Sequence, residues 1–212
     1  MQTTRLIAIR HGETAWNVDT RIQGQLDIEL NATGRWQAQQ VALALRDEGI
    51  AAIYASDLSR AFQTAQAIGA AVGLPAVPTP ELRERHFGHF QTRTWAEIEQ
   101  NWPQDAQLWR TRVPGWAPEG GESLLELRER VGRIVHKLAA RHIGEHIVLV
   151  AHGGIMDVLY RLATGQDIQA PRSWSLGNAM INRLLWTPQG LSLVGWGDDR
   201  HLQAPSRDET AA

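Results

Sequence analysis

The sequence predicts a three-layer α/β/α fold on a mostly parallel, mixed sheet, with a small helical cap inserted near its middle. Three observations carry this. Apolar runs of strand length alternate with amphipathic stretches of helical length, the pattern of βαβ units. Two of those runs end in the same step, Ile9-Arg10-His11-Gly12 and Val150-Ala151-His152-Gly153. The last two runs flank a tight turn, so they close the sheet as an antiparallel pair.

Taken in order, residues 5–10 read as a short buried strand. Thr33 is the expected N-cap of a helix through Trp36, Val41 and Leu45, which Gly49 stops. Residues 51–55 form a second strand ending at Ser56-Asp57, followed by a helix from about Leu58 to Ala71 and the stop Gly73-Leu74-Pro75. From Thr79 to Gly121 the periodicity weakens. That stretch carries four prolines and four of the nine tryptophans, and reads as an insertion with short helices at about 95–101 and 104–110. Gly120-Gly121-Glu122-Ser123 introduces a long amphipathic helix to about His142. Residues 146–151 form a strong strand, a helix follows to about Ala163, and 179–186 with 191–196 pair around Pro188-Gln189-Gly190. We expect one domain over residues 1–212, a cap at about 80–121 and a frayed polar tail at about 203–212.

Composition excludes several classes. There is no cysteine, which rules out disulfides, thiolate metal sites and a cysteine nucleophile. The net charge of −2 does not suit a polyanion binder, so nucleic acid is not an expected partner. No apolar run reaches the roughly 20 residues of a membrane span, and the N-terminus has no apolar signal core. The expected setting is cytoplasmic, away from membranes. The basic residues are arginine apart from Lys137. Arginine suits forked recognition of phosphate or carboxylate.

Histidines 11 and 152 lie 141 residues apart, so only the fold can bring them together. Gly12 and Gly153 are expected to let the backbone turn sharply and approach a ligand. A helix starting after His152 would offer free N–H groups to an anion. No HxH, HExxH or aspartate-rich spacing accompanies the pair, so no metal is expected. Arg10, Arg21 and Arg60 all fall near the carboxyl edge of the sheet. Around two histidines they would make a phosphate cradle, each full charge pair at about 4 Å being worth roughly 4 kcal/mol at an effective dielectric near 20. Glu84, in Leu82-Arg83-Glu84-Arg85-His86-Phe87-Gly88, is the candidate proton donor, or else a surface glutamate paired with Arg83 and Arg85.

Arg10-His11-Gly12-Glu13-Thr14, with Trp16-Asn17, Arg21, Gln23-Gly24, Asp27 and Leu30, resembles the signature of the histidine phosphatase superfamily, the relatives of cofactor-dependent phosphoglycerate mutase. Ser56-Asp57-Leu58-x-Arg60-Ala61, the Glu84 loop, Gly120-Gly121-Glu122-Ser123 and His152-Gly153-Gly154 are similar to its later motifs, in the family's order. The resemblance implies a phosphoglycerate mutase-like fold and a phosphohistidine at His11. Arg10, Arg60 and His152 would hold the phosphoryl oxygens and Glu84 would serve as acid and base. It also implies contacts from Asn17, Arg21, Gln23, Gly24 and Gly153, with Arg85 at the rim, and no cofactor. The expected partner is a small phosphorylated metabolite. A homodimer is compatible with the sequence, which does not specify an oligomeric state.

The resemblance favours a broad phosphomonoesterase, like the short bacterial members of the phosphoglycerate mutase-like branch. Mutases of the family carry an adjacent arginine pair in the insertion. Here Arg93, Arg110 and Arg112 are separated. Bisphosphoglycerate-dependent phosphoglycerate mutase is the alternative, followed by a narrow phosphatase such as one acting on ribazole phosphate. From another class comes a non-catalytic module that binds phosphorylated ligands. The four cap tryptophans are expected to pack the cap, with one or two lining a pocket.

Overall fold

The computed structural model describes residues 2–203. The expected frayed tail, Gln203 apart, lies outside them. Six strands form one sheet in the order β3-β2-β4-β1-β5-β6. They are β1 (Thr4–Arg10), β2 (Ile50–Ala55), β3 (Ala76–Pro78), β4 (His146–Ala151), β5 (Ile181–Thr187) and β6 (Gly190–Asp198). The first four run parallel, and β5 is antiparallel to both β1 and β6. Helices α1 (Ala15–Val18), α2 (Ala32–Leu45), α3 (Ser59–Val72), α4 (Trp95–Asn101), α5 (Pro103–Arg110), α6 (Leu124–Ala139) and α7 (Gly153–Thr164) complete it.

Alternation along the strands builds the three layers. Leu6, Ala8, Ile147, Leu149 and Ala151 pack against α6 and α7 on one face. Ile7, Ile9, Val148 and Val150 meet α2 and α3 on the other. Both faces are covered, so β1 and β4 read as continuous apolar runs rather than alternating ones. The fold class is the expected one.

Several local expectations change. Asn31, not Thr33, caps α2: its side chain accepts from the Gly34 N–H at 2.8 Å. Asparagine is the stronger cap, and its extended backbone starts the helix two residues early. Gly49 lies beyond the end of α2, in the left-handed region at φ +63°. Edge strand β3 has three residues and ends in proline, and α1 is a single turn held by a Thr14 capping box. Neither is long enough to leave a periodic signature.

Gly12 serves a different purpose from the one expected. A Cβ there would lie 2.4 Å from the Gly34 carbonyl oxygen, and one on Gly34 would lie 2.0 Å from that of Glu13. The two glycines let the start of α2 press directly on the loop that follows β1. Since both obstacles are backbone, Gly34→Ala should cost about 2 kcal/mol by overpacking. A urea midpoint unchanged from wild type would contradict this contact.

Candidate active site

The register of β1 on β4 places the two histidines. Residue pairs run from Arg5 against His146 to Arg10 against Ala151, a constant offset of 141. Both strands end there, and the His11 N–H still donates to the Ala151 carbonyl at 2.9 Å. The rings of His11 and His152 lie 5.2 Å apart, tilted by 58°. His11 is 3% exposed and His152 is fully buried.

Local hydrogen bonds fix the state of His11. Its Nδ1 lies 2.6 Å from the Gly12 carbonyl oxygen, which can only accept, so Nδ1 carries the proton. Nε2 keeps its lone pair and receives the Arg60 Nε–H at 3.3 Å. Burial, then the charges of Arg60 and Arg10, holds the His11 imidazolium well below its ordinary range; the Gly12 bond opposes this. His152 is lowered likewise, by burial and then by Arg60 and His11. Both of its ring nitrogens are buried without a hydrogen-bond partner. Buried polar atoms are rarely left unpaired, so such atoms mark a place for a ligand or water.

Arg60 enters from the first turn of α3 and is 1% exposed. Its NH1 and NH2 groups donate to the carbonyls of Leu26 and Gly24, at 2.8 and 2.7 Å. Burial lowers its pKa to about 10, against the opposing charges of Glu84 and Asp27, so it stays cationic at neutral pH. Arg10 donates through NH1 to the Leu176 carbonyl, while its buried Nε is unpartnered. Gly24 sits at φ +53°, where a Cβ would strike the Gln91 amide at 2.1 Å.

Glu84 is not tied up by the arginines beside it. Arg83 turns to Asp57 in a two-pronged pair at 2.7 and 2.5 Å, and Arg85 donates to the Glu122 carbonyl at 2.7 Å. The Glu84 carboxylate instead accepts from the Gly154 N–H at 3.1 and 3.0 Å, and from the Arg85 N–H at 2.7 Å. It thus occupies the N-terminus of α7, where the helix dipole favours negative charge. A Cβ on Gly154 would lie 2.3 Å from that carboxylate, whereas one on Gly153 would meet only ordinary contacts. Gly154, not Gly153, is the glycine that close approach requires.

A hole of about 170 Å³ is lined by Arg10, His11, Asn17, Arg21, Gln23, Gly24, Arg60 and Glu84, with Ile22, Phe87 and Trp109. The predicted residues Gly153 and Arg85 line the adjoining chamber instead. Gln23 is buried with its Oε1 unpartnered. Asn17 spends its carbonyl oxygen on the Thr14 N–H at 3.0 Å. Arg21 leans outward to the Thr92 carbonyl at 2.9 Å and to Glu97, so it also staples this loop to α4. His86 accepts from the Gly88 N–H and lines neither space. Among the described residues no group of three His, Cys, Asp or Glu side chains could hold a metal. No helix among them is long and apolar enough to cross a membrane.

Three residues that the sequence did not single out support the site. Asn178 donates to the His11 carbonyl at 2.9 Å. Arg130 of α6 grips Glu122 at 2.9 and 2.7 Å and donates to the carbonyls of Glu81 and Arg83, fixing the loop that carries Glu84. Gln91 accepts from the Gln25 N–H at 2.8 Å. These partners are distant in sequence and have no motif spacing. Glu122, in the Gly-Gly-Glu-Ser stretch, was the one available hint for Arg130.

The sequence profile of the histidine phosphatase superfamily (branch 1) matches residues 6–199. The chain belongs to that superfamily. Among the relatives of this histidine phosphatase is the probable phosphoglycerate mutase GpmB of Escherichia coli O1:K1, 38% identical over 95% of this chain and 96% of its own. Among solved structures, the mycobacterial glucosyl-3-phosphoglycerate phosphatase complexed with VO3 is 35% identical with a TM-score of 0.82, covering 92% of this chain and 98% of that one. YhfR of Bacillus stearothermophilus is 28% identical with a TM-score of 0.87, covering 94% of this chain and all of that one.

The buried histidines of this histidine phosphatase give it a signed pH dependence. Unfolded imidazoles take up protons below about pH 6.5, while His11 and His152 stay neutral in the fold. Their contribution to stability is therefore complete above that pH and is lost as pH falls below it. Urea unfolding of wild type and His152→Gln between about pH 7.5 and 5.5 checks this. Wild type should lose more stability than the variant across that window, and parallel curves would refute it.

Proposed function

We propose that this protein hydrolyses phosphomonoesters of small metabolites through a phosphohistidine on His11 Nε2, with no metal in the chemistry. The observation that carries the reading is the state of His11, its Nδ1 committed to Gly12 and its Nε2 lone pair presented beside the Arg60 guanidinium. A neutral imidazole needs no separate base to attack phosphorus. Arginine supplies the positive charge that a metal would otherwise provide.

In the first step Nε2 attacks phosphorus and the ester P–O bond breaks in line. Arg10, Arg60 and His152 hold the three peripheral oxygens, where charge develops in a loose transition state. The unpartnered Arg10 Nε and His152 nitrogens support that assignment. Asn17, Gln23 and the backbone at Gly24 complete the anion hole. Glu84 donates its proton to the departing alkoxide. In the second step it takes a proton from water, whose oxygen attacks phosphorus as the N–P bond breaks, releasing phosphate and restoring His11.

Phosphoglycerate mutase activity is the second reading, favoured by the name of the Escherichia coli relative. Against it, Arg93, Arg110 and Arg112 are not adjacent in the chain, and Arg110 is paired with Glu99. Turnover of p-nitrophenyl phosphate in EDTA, and 3-phosphoglycerate with or without 2,3-bisphosphoglycerate, separates the readings. Chelator-resistant hydrolysis supports the phosphatase, and bisphosphate-dependent isomerisation supports the mutase. Phosphate-dependent binding without turnover would indicate a binding module.

His11→Ala should abolish hydrolysis, and intact turnover in that variant would sink the proposal. Glu84→Gln should lower alkyl phosphate hydrolysis by roughly 10²–10⁴-fold. It should largely spare phosphohistidine formation from an activated aryl phosphate, whose leaving group needs little protonation. Equal losses on both, read by quench-flow of the phosphoenzyme, would remove Glu84 from the acid role.

A further inference from the structure

Outward from the phosphate hole the open space continues. A chamber of about 450 Å³ shares Arg10, Phe87 and Trp109 with the hole. A further space of about 370 Å³ shares Trp109, Arg112 and Arg172 with that chamber. Trp109 therefore borders all three, stacked on Phe87 with ring centres 4.9 Å apart. The chamber alone falls within the usual size of small-molecule sites. It is larger than a three-carbon leaving group needs.

Its charge is lopsided. Arg10, Arg85, Arg112 and Arg172 line the chamber against a single carboxylate, Asp157. One oxygen of Asp157 already receives both Arg112 at 2.7 Å and Arg161 at 3.0 Å. Arg85 is buried and spent on the Glu122 carbonyl. Arg112 is held rigid, its Nε donating to the Ile168 carbonyl at 3.0 Å. Arg172 is exposed and has no carboxylate partner among the described residues. Its charge is felt at both Arg10 and Arg112 as repulsion. The phosphoryl group meets Arg10 and Arg60 in the hole, so the outer arginines are surplus to it.

We infer that Arg112 and Arg172 form a second anion site, and that the leaving group is a large one that passes Trp109 and carries a carboxylate or a second phosphate to them. This rests on the phosphomonoesterase reading and names the substrate class. Guanidinium forks match either anion in pairs of hydrogen bonds. The indole and phenyl walls between the two sites suit a ring or another apolar spacer. Arg172 is then a specificity residue, acting on the far end of the substrate and not on the reacting atoms.

Three aryl esters of similar shape test this: 4-carboxyphenyl, 4-phosphonophenyl and 4-carbamoylphenyl phosphate. At least one of the two anionic esters should exceed the neutral amide by about tenfold in kcat/KM, mostly through KM. The larger ratio names the anion. Arg172→Ala should bring that ratio below about threefold, Arg172→Lys should restore part of it, and Arg172→Glu should favour the amide. Arg172 is exposed, so these variants should keep the wild-type circular dichroism and melting. No preference in wild type, or a preference that survives Arg172→Ala, overturns the second site. If wild type hydrolyses none of the three, the phosphomonoesterase reading itself falls and the second site with it.

Discussion

Everything at the site depends on the parallel pairing of β1 with β4. Because the ladder keeps one offset from Arg5 to Arg10, the residues that follow each strand emerge side by side without any further instruction. A slip of one residue would turn every side chain of β1 to the opposite layer. The apolar sets on the two faces, Leu6 and Ala8 against Ile7 and Ile9, forbid it. Hydrophobic packing far from the chemistry thus sets the separation of the two imidazoles.

Around that pair the chain concentrates cations and withholds water. Burial and the guanidinium charges of Arg60 and Arg10 disfavour any proton placed on His11. Such an arrangement is costly to fold, and the cost is offset locally: Arg60 is neutralised in part by the carbonyls of Gly24 and Leu26, and Glu84 rests on the helix start beside it. On the proposed reading, the site is an anion hole whose geometry is set before any anion arrives, the condition under which fixed dipoles and charges act with little reorganisation.

Much of this was legible in the chain itself. Strand ends could be read from the abrupt change from apolar residues to His-Gly, and Arg10 and Arg60 from their positions at a strand's last residue and in the helix start beyond a strand. The separation of the sequence into layers followed from its alternating periods. Less legible were features whose meaning lies in a distant partner. Gly12 looked like a ligand-facing glycine, yet what it accommodates is the backbone of Gly34. Asn178 and Arg130 are ordinary polar residues until the fold brings them to the His11 carbonyl and the Glu84 loop. Short elements such as β3 and α1 fall below the length at which periodicity exists at all.

The stapling of the 21–25 loop onto the insertion has a historical consequence. Arg21 donates to the Thr92 carbonyl, and Gln91 accepts from the Gln25 N–H between the Gly24 and Leu26 carbonyls that hold Arg60, so drift in that half of the insertion is transmitted to Arg60 and would be purged. Among the described residues, the part of the insertion around Arg112, with the neighbouring 165–175 segment, carries no such tether to Arg60. Descendants of this fold are free to change diet there, one wall residue at a time, while the phosphorus chemistry stays as it was inherited.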